Sequence, residues 1–162
     1  MTGCDRTGAN ACEPADKNSD SFIFTARQVS TYMKTTTTWV SDHHFNSQQE
    51  GQVISMDGNL KNGMSPKALL LSGVAGCSGV DVVDILQKMR VPFSQLEIIA
   101  EVDQTDEHPR VFKDISITYR LDFVPADEEK VRKAIDLSLE KYCGVAAMLR
   151  KNSPIVYTLE RI

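Results

Sequence analysis

One stretch constrains this chain more than any other: residues 65–90, SPKALLLSGVAGCSGVDVVDILQKMR. Ser65-Pro66 opens it as a helix. Serine is a favoured N-cap, and proline suits the first helical position, where its missing N–H has no partner to lose. Val91-Pro92 closes it, because the residue before a proline is pushed out of the helical region. Leu69, Leu70, Leu71, Val74, Val80, Val82, Val83, Ile85, Leu86 and Met89 fall nearly all round a helical period. A helix apolar on every side has to be enclosed, so the spacing predicts a buried central helix from 65 to about 90. Gly73, Gly76 and Gly79 each disfavour a helix interior by up to about 1 kcal/mol. Small residues in such a run predict the close approach of another backbone or a ligand.

The rest of the chain supplies walls for that helix. Residues 1–21 are polar and aperiodic and predict a disordered tail. Residues 22–33 read as either a short strand or more tail, which leaves 34–162 as the folded domain. Residues 34–40 (KTTTTWV) and 52–56 (QVISM) have strand composition, with an extended piece at 43–46 between them and the turn pair Asp57-Gly58 after them. An N-terminal antiparallel meander is expected. Residues 95–103 and 111–123 alternate. Leu96, Ile98, Ala100 and Val102 face in on the first, and Ile115, Ile117, Tyr119, Leu121 and Phe123 on the second, predicting a long hairpin. Pro125 and Asp127 begin a second helix, with Val131, Ala134, Ile135, Ser138 and Tyr142 at helical spacing. Cys143-Gly144 interrupts it, 145–150 resume it, and Ile155, Tyr157 and Leu159 form a last strand. This order gives an α+β fold with a mostly antiparallel sheet.

The formal net charge of −4, without a run of Lys and Arg, argues against a nucleic-acid partner. The apolar neighbourhood 68–83 is broken by Ser72, Ser78 and Asp81, so no segment is expected to reach the roughly 20 apolar residues of a membrane span. With no apolar leader at the start, a cytoplasmic, membrane-free protein is expected. Thiols stay reduced there, and paired cysteines are more often catalytic or metal-binding than structural. Cys4 and Cys12 lie in the polar tail and read as tail residues. There is no CxxC, and His43, His44 and His108 lie in other turns or strands than the cysteines, which does not fit a structural zinc site.

Cys77 and Cys143 differ. Each falls in a helix beside glycine, in Gly76-Cys77-Ser78-Gly79 and Cys143-Gly144. As residue types they are plain core cysteines, but small flanking residues leave room for a substrate or a partner sulfur. A helix break at Gly144 would put Cys143 at a new helix N-terminus, which lowers a thiol pKa. Asp81, four residues after Cys77, disfavours a thiolate there. Ser78 could hydrogen-bond the sulfur. Trp39 and Tyr142 could line a pocket.

With these residues in place, 65–90 resembles the core helix of the OsmC/Ohr family of peroxide-defence proteins. Residues 134–149, AIDLSLEKYCGVAAML, resemble its second cysteine helix. The resemblance runs from about 34 to 162 and is nearest the YhfA-like branch. It implies an OsmC-like fold, with antiparallel sheets wrapped around two central cysteine-bearing helices in an intertwined homodimer. It also implies a thiol-dependent peroxidase without a cofactor. Cys77 would be oxidised to a sulfenic acid by a hydroperoxide. Cys143 would close a disulfide with it, and a dithiol reductant would reopen the pair. The sequence departs from the family at the activating groups. No arginine stands between Arg27 and Arg90, and Lys67 and Ala68 occupy the first-turn positions where the family has a glutamate. Lys67 and Lys61 are the candidate cations, and lysine lacks the planar fork of arginine. The departure also fits an alternative, a non-catalytic dimer of the same fold that binds a small apolar ligand or senses redox state.

Overall fold

The computed structural model describes residues 32–162; the expectations for the tail, including Cys4 and Cys12, lie outside the described residues. Six strands form two three-stranded sheets. The first sheet is the expected meander: β1 (Thr36–Ser41), β2 (His44–Gln49) and β3 (Gln52–Asp57), each pair antiparallel. Glu50 and Gly51 join β2 to β3 with φ of 48° and 82°. Positive φ at both central residues is what a tight hairpin turn needs to match strand twist. Asp57 ends β3 and turns its buried carboxylate on the loop that follows. It accepts from the Asn59 N–H at 2.8 Å and from the Asn62 N–H and side-chain amide at 3.1 Å.

Helix α1 (Pro66–Lys88) begins as the sequence predicts, the Ser65 hydroxyl accepting from the Ala68 N–H at 3.2 Å. It ends slightly before the expected 90. Arg90 takes a left-handed φ of 56°, and the Val91 N–H returns to the Leu86 carbonyl at 3.0 Å. The expectation of burial on all sides is corrected. Val74, Ser78, Val82 and Leu86 form one fully buried stripe, whereas Leu70 is 50% and Val80 64% exposed. Among the described residues the other elements cover one side of α1 only. The membrane expectation also needs correcting. By length and composition alone α1 could cross a bilayer, an 18-residue stretch of it having a mean hydropathy of 1.7, because scattered Ser and Asp lower that average too little. Its buried stripe nonetheless belongs to the protein core, together with strand and helix residues further along the chain.

The second sheet holds β4 (Leu96–Gln104), β5 (Phe112–Leu121) and β6 (Ile155–Arg161). β4 and β5 are the predicted antiparallel hairpin, with Ile98 opposite Tyr119 and Ala100 opposite Ile117. β6 pairs with β5 in parallel. This follows from the intervening helices, which carry the chain back before β6 starts. On the outer face Arg120 lies between Glu97 (2.6 Å) and Glu160 (3.3 Å), its neighbours in register on either side. A 3-10 turn (Pro125–Asp127) leads into α2 (Glu128–Leu137). A π-helical turn (Ser138–Tyr142) and α3 (Gly144–Leu149) follow. The core joins Val74, Val82 and Leu86 of α1 to Ile115, Ile117, Tyr119 and Leu121 of β5. Val131, Ala134 and Ile135 of α2, and Leu139, Cys143 and Ala146, complete it.

Candidate thiol site

The break at Cys143-Gly144 is where the sequence places it. The π-helical turn ends at Cys143, whose N–H bonds to the Ser138 carbonyl at 2.8 Å, and Cys143 leaves the helical region with ψ of 103°. Its sulfur then caps α3, accepting from the Ala146 N–H at 3.3 Å. Single π turns recur at functional sites because the extra residue re-aims the side chains that follow. Here Cys143 turns into the core, 2% exposed, with the Cys77 thiol near enough to raise its pKa. Cys77 is half-buried on α1, and both thiols are free.

The expected lowering of the Cys143 pKa is overturned. Burial pushes the thiol up to about 11, and the neighbouring Cys77 thiol works in the same direction. The cap from Ala146 opposes both, and desolvation outweighs it because it penalises the charged form directly.

Ser78 and Asp81 are held in a small polar network behind the two sulfurs. Tyr119 on β5 donates to the Ser78 hydroxyl at 2.8 Å, and Ser78 donates to the Ala75 carbonyl at 3.2 Å. The Ser138 hydroxyl lies 3.1 Å from the Ser78 carbonyl and 3.2 Å from an Asp81 carboxylate oxygen. The network ties α1, β5 and the π turn together around the cysteines. Burial, first among several causes, pushes the Tyr119 hydroxyl up to about 12, so it stays a donor at any ordinary pH. The sequence marked Tyr119 and Ser138 only as inward positions. The signal was there: a phenol among aliphatic neighbours must find a polar partner when buried.

The candidate lysines lie elsewhere. Lys67 clasps the turn between β4 and β5, donating to the Gln104 side chain at 2.5 Å and the Arg110 carbonyl at 2.8 Å. It sits ten residues before Cys77, roughly 15 Å along the helix. Lys61 is exposed in the loop between β3 and α1. Trp39 is exposed on β1 and donates to the Asp42 carbonyl. Tyr142 does line a cavity, of about 350 Å³, with Asp81, Asp84, Ile85, Lys88, Met89 and Leu137; neither cysteine lines it, and Asp81 is one helical turn from Cys77. Among the described residues no three His, Cys, Asp or Glu side chains converge to hold a metal. The arrangement presents a half-buried thiol, a second, buried thiol near enough to be perturbed by it, and a cavity of small-molecule size one helical turn along α1 from the first.

Comparison with known proteins extends these observations. A family described as OsmC-like protein matches residues 57–158. Protein YhfA of Escherichia coli strain K12 is 36% identical over 124 residues, covering 75% of this chain and 92% of YhfA. The crystal structure of a hypothetical protein from Aquifex aeolicus superposes with a TM-score of 0.74 at 29% identity, covering 81% of this chain and 96% of that one. The organic hydroperoxide resistance protein OhrB of Bacillus subtilis superposes at 0.57 with 19% identity, covering 80% and 98%.

Proposed function

Because the chain belongs to the OsmC-like protein family, we propose that it is a thiol-dependent hydroperoxide reductase working through Cys77 and Cys143. The proximity of the two free thiols, with a cavity opening one helical turn along α1 from Cys77, carries this reading. The naming of the structurally similar OhrB as an organic hydroperoxide resistance protein supports the substrate class.

The steps are simple. The Cys77 thiolate attacks the outer oxygen of a hydroperoxide, the O–O bond breaks, and the alkoxide leaves as the alcohol after taking a proton. Cys77 is then a sulfenic acid. The Cys143 sulfur attacks it, the S–O bond breaks, and the oxygen leaves as water with the Cys143 proton. Two exchanges with a dithiol reductant return both thiols and oxidise the reductant to its disulfide. In the resting state Cys143 keeps its proton and donates it toward Cys77, a role the family's absent arginine leaves open. The exposed side of α1 and the exposed apolar residues of the meander suit a second copy of the chain, and the working form is a homodimer.

The test is direct. Reduced protein is mixed with excess cumene hydroperoxide, and the products are mapped by mass spectrometry. A crosslinked fragment joining Cys77 to Cys143 is expected, with no oxidation chemistry in Cys77→Ser and a dimedone-trapped sulfenic acid in Cys143→Ser. Intact thiols at both positions would reject the peroxidase and leave the ligand-binding dimer.

A further inference from the structure

The cavity one helical turn along α1 from Cys77 has a charge pattern that the reaction above does not use. Cys77, Asp81, Asp84, Ile85 and Lys88 follow one another at helical spacing along a single stripe of α1, and the last four line the cavity. Neighbours four apart on a helix have Cβ atoms roughly 5–6 Å apart, so Asp81 stands next to the Cys77 sulfur. Asp84 follows roughly 10 Å along the axis, and Lys88 only after roughly 16 Å. The facing wall, Leu137 and Tyr142, carries no charge of its own.

Asp81 is fixed in place. One oxygen accepts from Ser138, which also bonds the Ser78 carbonyl. Among the described residues neither Asp81 nor Asp84 is in an ion pair. Lys141 stands over Tyr142 of that wall, its ammonium 5.4 Å from the centre of the ring. A molecule seated in this cavity and extending along α1 toward Cys77 passes Asp81, one helical turn from the sulfur.

We propose that Asp81 and Asp84 are specificity-determining residues, making this a site for apolar substrates that are uncharged or cationic and turning away those bearing a carboxylate. The proposal rests on Cys77 being the reacting atom, and its test is independent of peroxide chemistry. Three methanethiosulfonate reagents are compared: the trimethylammonium-ethyl, the uncharged methyl and the sulfonatoethyl forms. Each thiolate displaces sulfinate and forms a mixed disulfide, and the charge rides within a few ångströms of the reacting sulfur. Rates at Cys77 are read by mass spectrometry in the full-length Cys143→Ser protein, where the mixed disulfide persists, and are divided by the rate with free cysteine.

The cationic reagent is expected to outpace the anionic one at least tenfold, roughly what carboxylates at these distances produce in a partly solvated site. The uncharged reagent falls between. Added salt narrows the spread, and the pair Asp81→Asn and Asp84→Asn brings it to about twofold. An anionic reagent that reacts as fast as the cationic one overturns the proposal. So does a spread that survives the double substitution, or a Cys77 that none of the three can reach. Charge selection in these reagents with thiols inert to peroxide would instead reject the peroxidase and keep the selective site.

Discussion

Two local effects on one thiol oppose each other at Cys143. Capping α3 favours a thiolate, and enclosure in the core favours the thiol, and the second prevails. The consequence is testable in Cys77→Ser, where burial still acts. Thiolate absorbance at 240 nm, taken against the double serine variant, should rise with a midpoint well above that of an ordinary cysteine, near 9, and toward about 11. A midpoint below that ordinary value would mean the cap wins after all. The same shift has a sign for stability. Between the unfolded and folded values the native state holds a proton that the unfolded chain has lost. Stability is therefore unaffected below about pH 9 and falls between there and about pH 11. The sequence made the position of Cys143 legible, because Cys-Gly breaks a helical pattern. It did not make the pKa legible, because desolvation depends on which distant residues close over the sulfur. The same holds for Ser78 and Asp81: their place on α1 followed from helical spacing, their partners Tyr119 and Ser138 did not.

At the level of elements, most of the architecture was written in periodicity and end signals. Ser65-Pro66 started α1, strict alternation marked β4 and β5, and Asp57-Gly58 closed the meander. The parallel pairing of β6 was not readable, since alternation gives a strand its faces but not its neighbour or its direction. Close backbone approaches were equally hidden. Gly63 lies against β3, where an added Cβ would come within 2.4 Å of the Ser55 carbonyl oxygen and 2.9 Å of the Met56 nitrogen. These are backbone atoms, fixed beside the bridge between Met56 and Met64, and cannot swing aside. Gly63→Ala should therefore lose about 1–3 kcal/mol, the usual effect of overpacking. It should appear as a lower urea midpoint with an unchanged slope. Gly144→Ala, where an added Cβ meets nothing within 4 Å, serves as the control and should unfold at or above the wild-type midpoint. Equal midpoints for the two variants would mean that the loop is free to leave β3.

The whole molecule returns to the helix that constrains everything else. A stretch apolar on every side demands enclosure, yet one copy of the chain buries a single stripe of it. Leu70 and Val80 stay exposed, and a Cβ added at Gly73 or Gly76 would meet nothing within 4 Å. The first sheet repeats the pattern, with Trp39 63%, Val53 64% and Ile54 47% exposed. Surplus apolar surface of this kind on a helix meant for the interior is information about assembly that the sequence carried and a single chain cannot use. If a second copy covers α1, the protein should sediment as a dimer at micromolar concentration. Val80→Lys should then weaken that dimer at least tenfold in Kd, about 1.4 kcal/mol, by placing an unpaired charge in a closed interface. Val124→Lys, at a site 52% exposed in the loop after β5, should leave it intact. A wild-type protein that sediments as a monomer would remove the second copy, and the open side of α1 would then be the first place to look for a ligand.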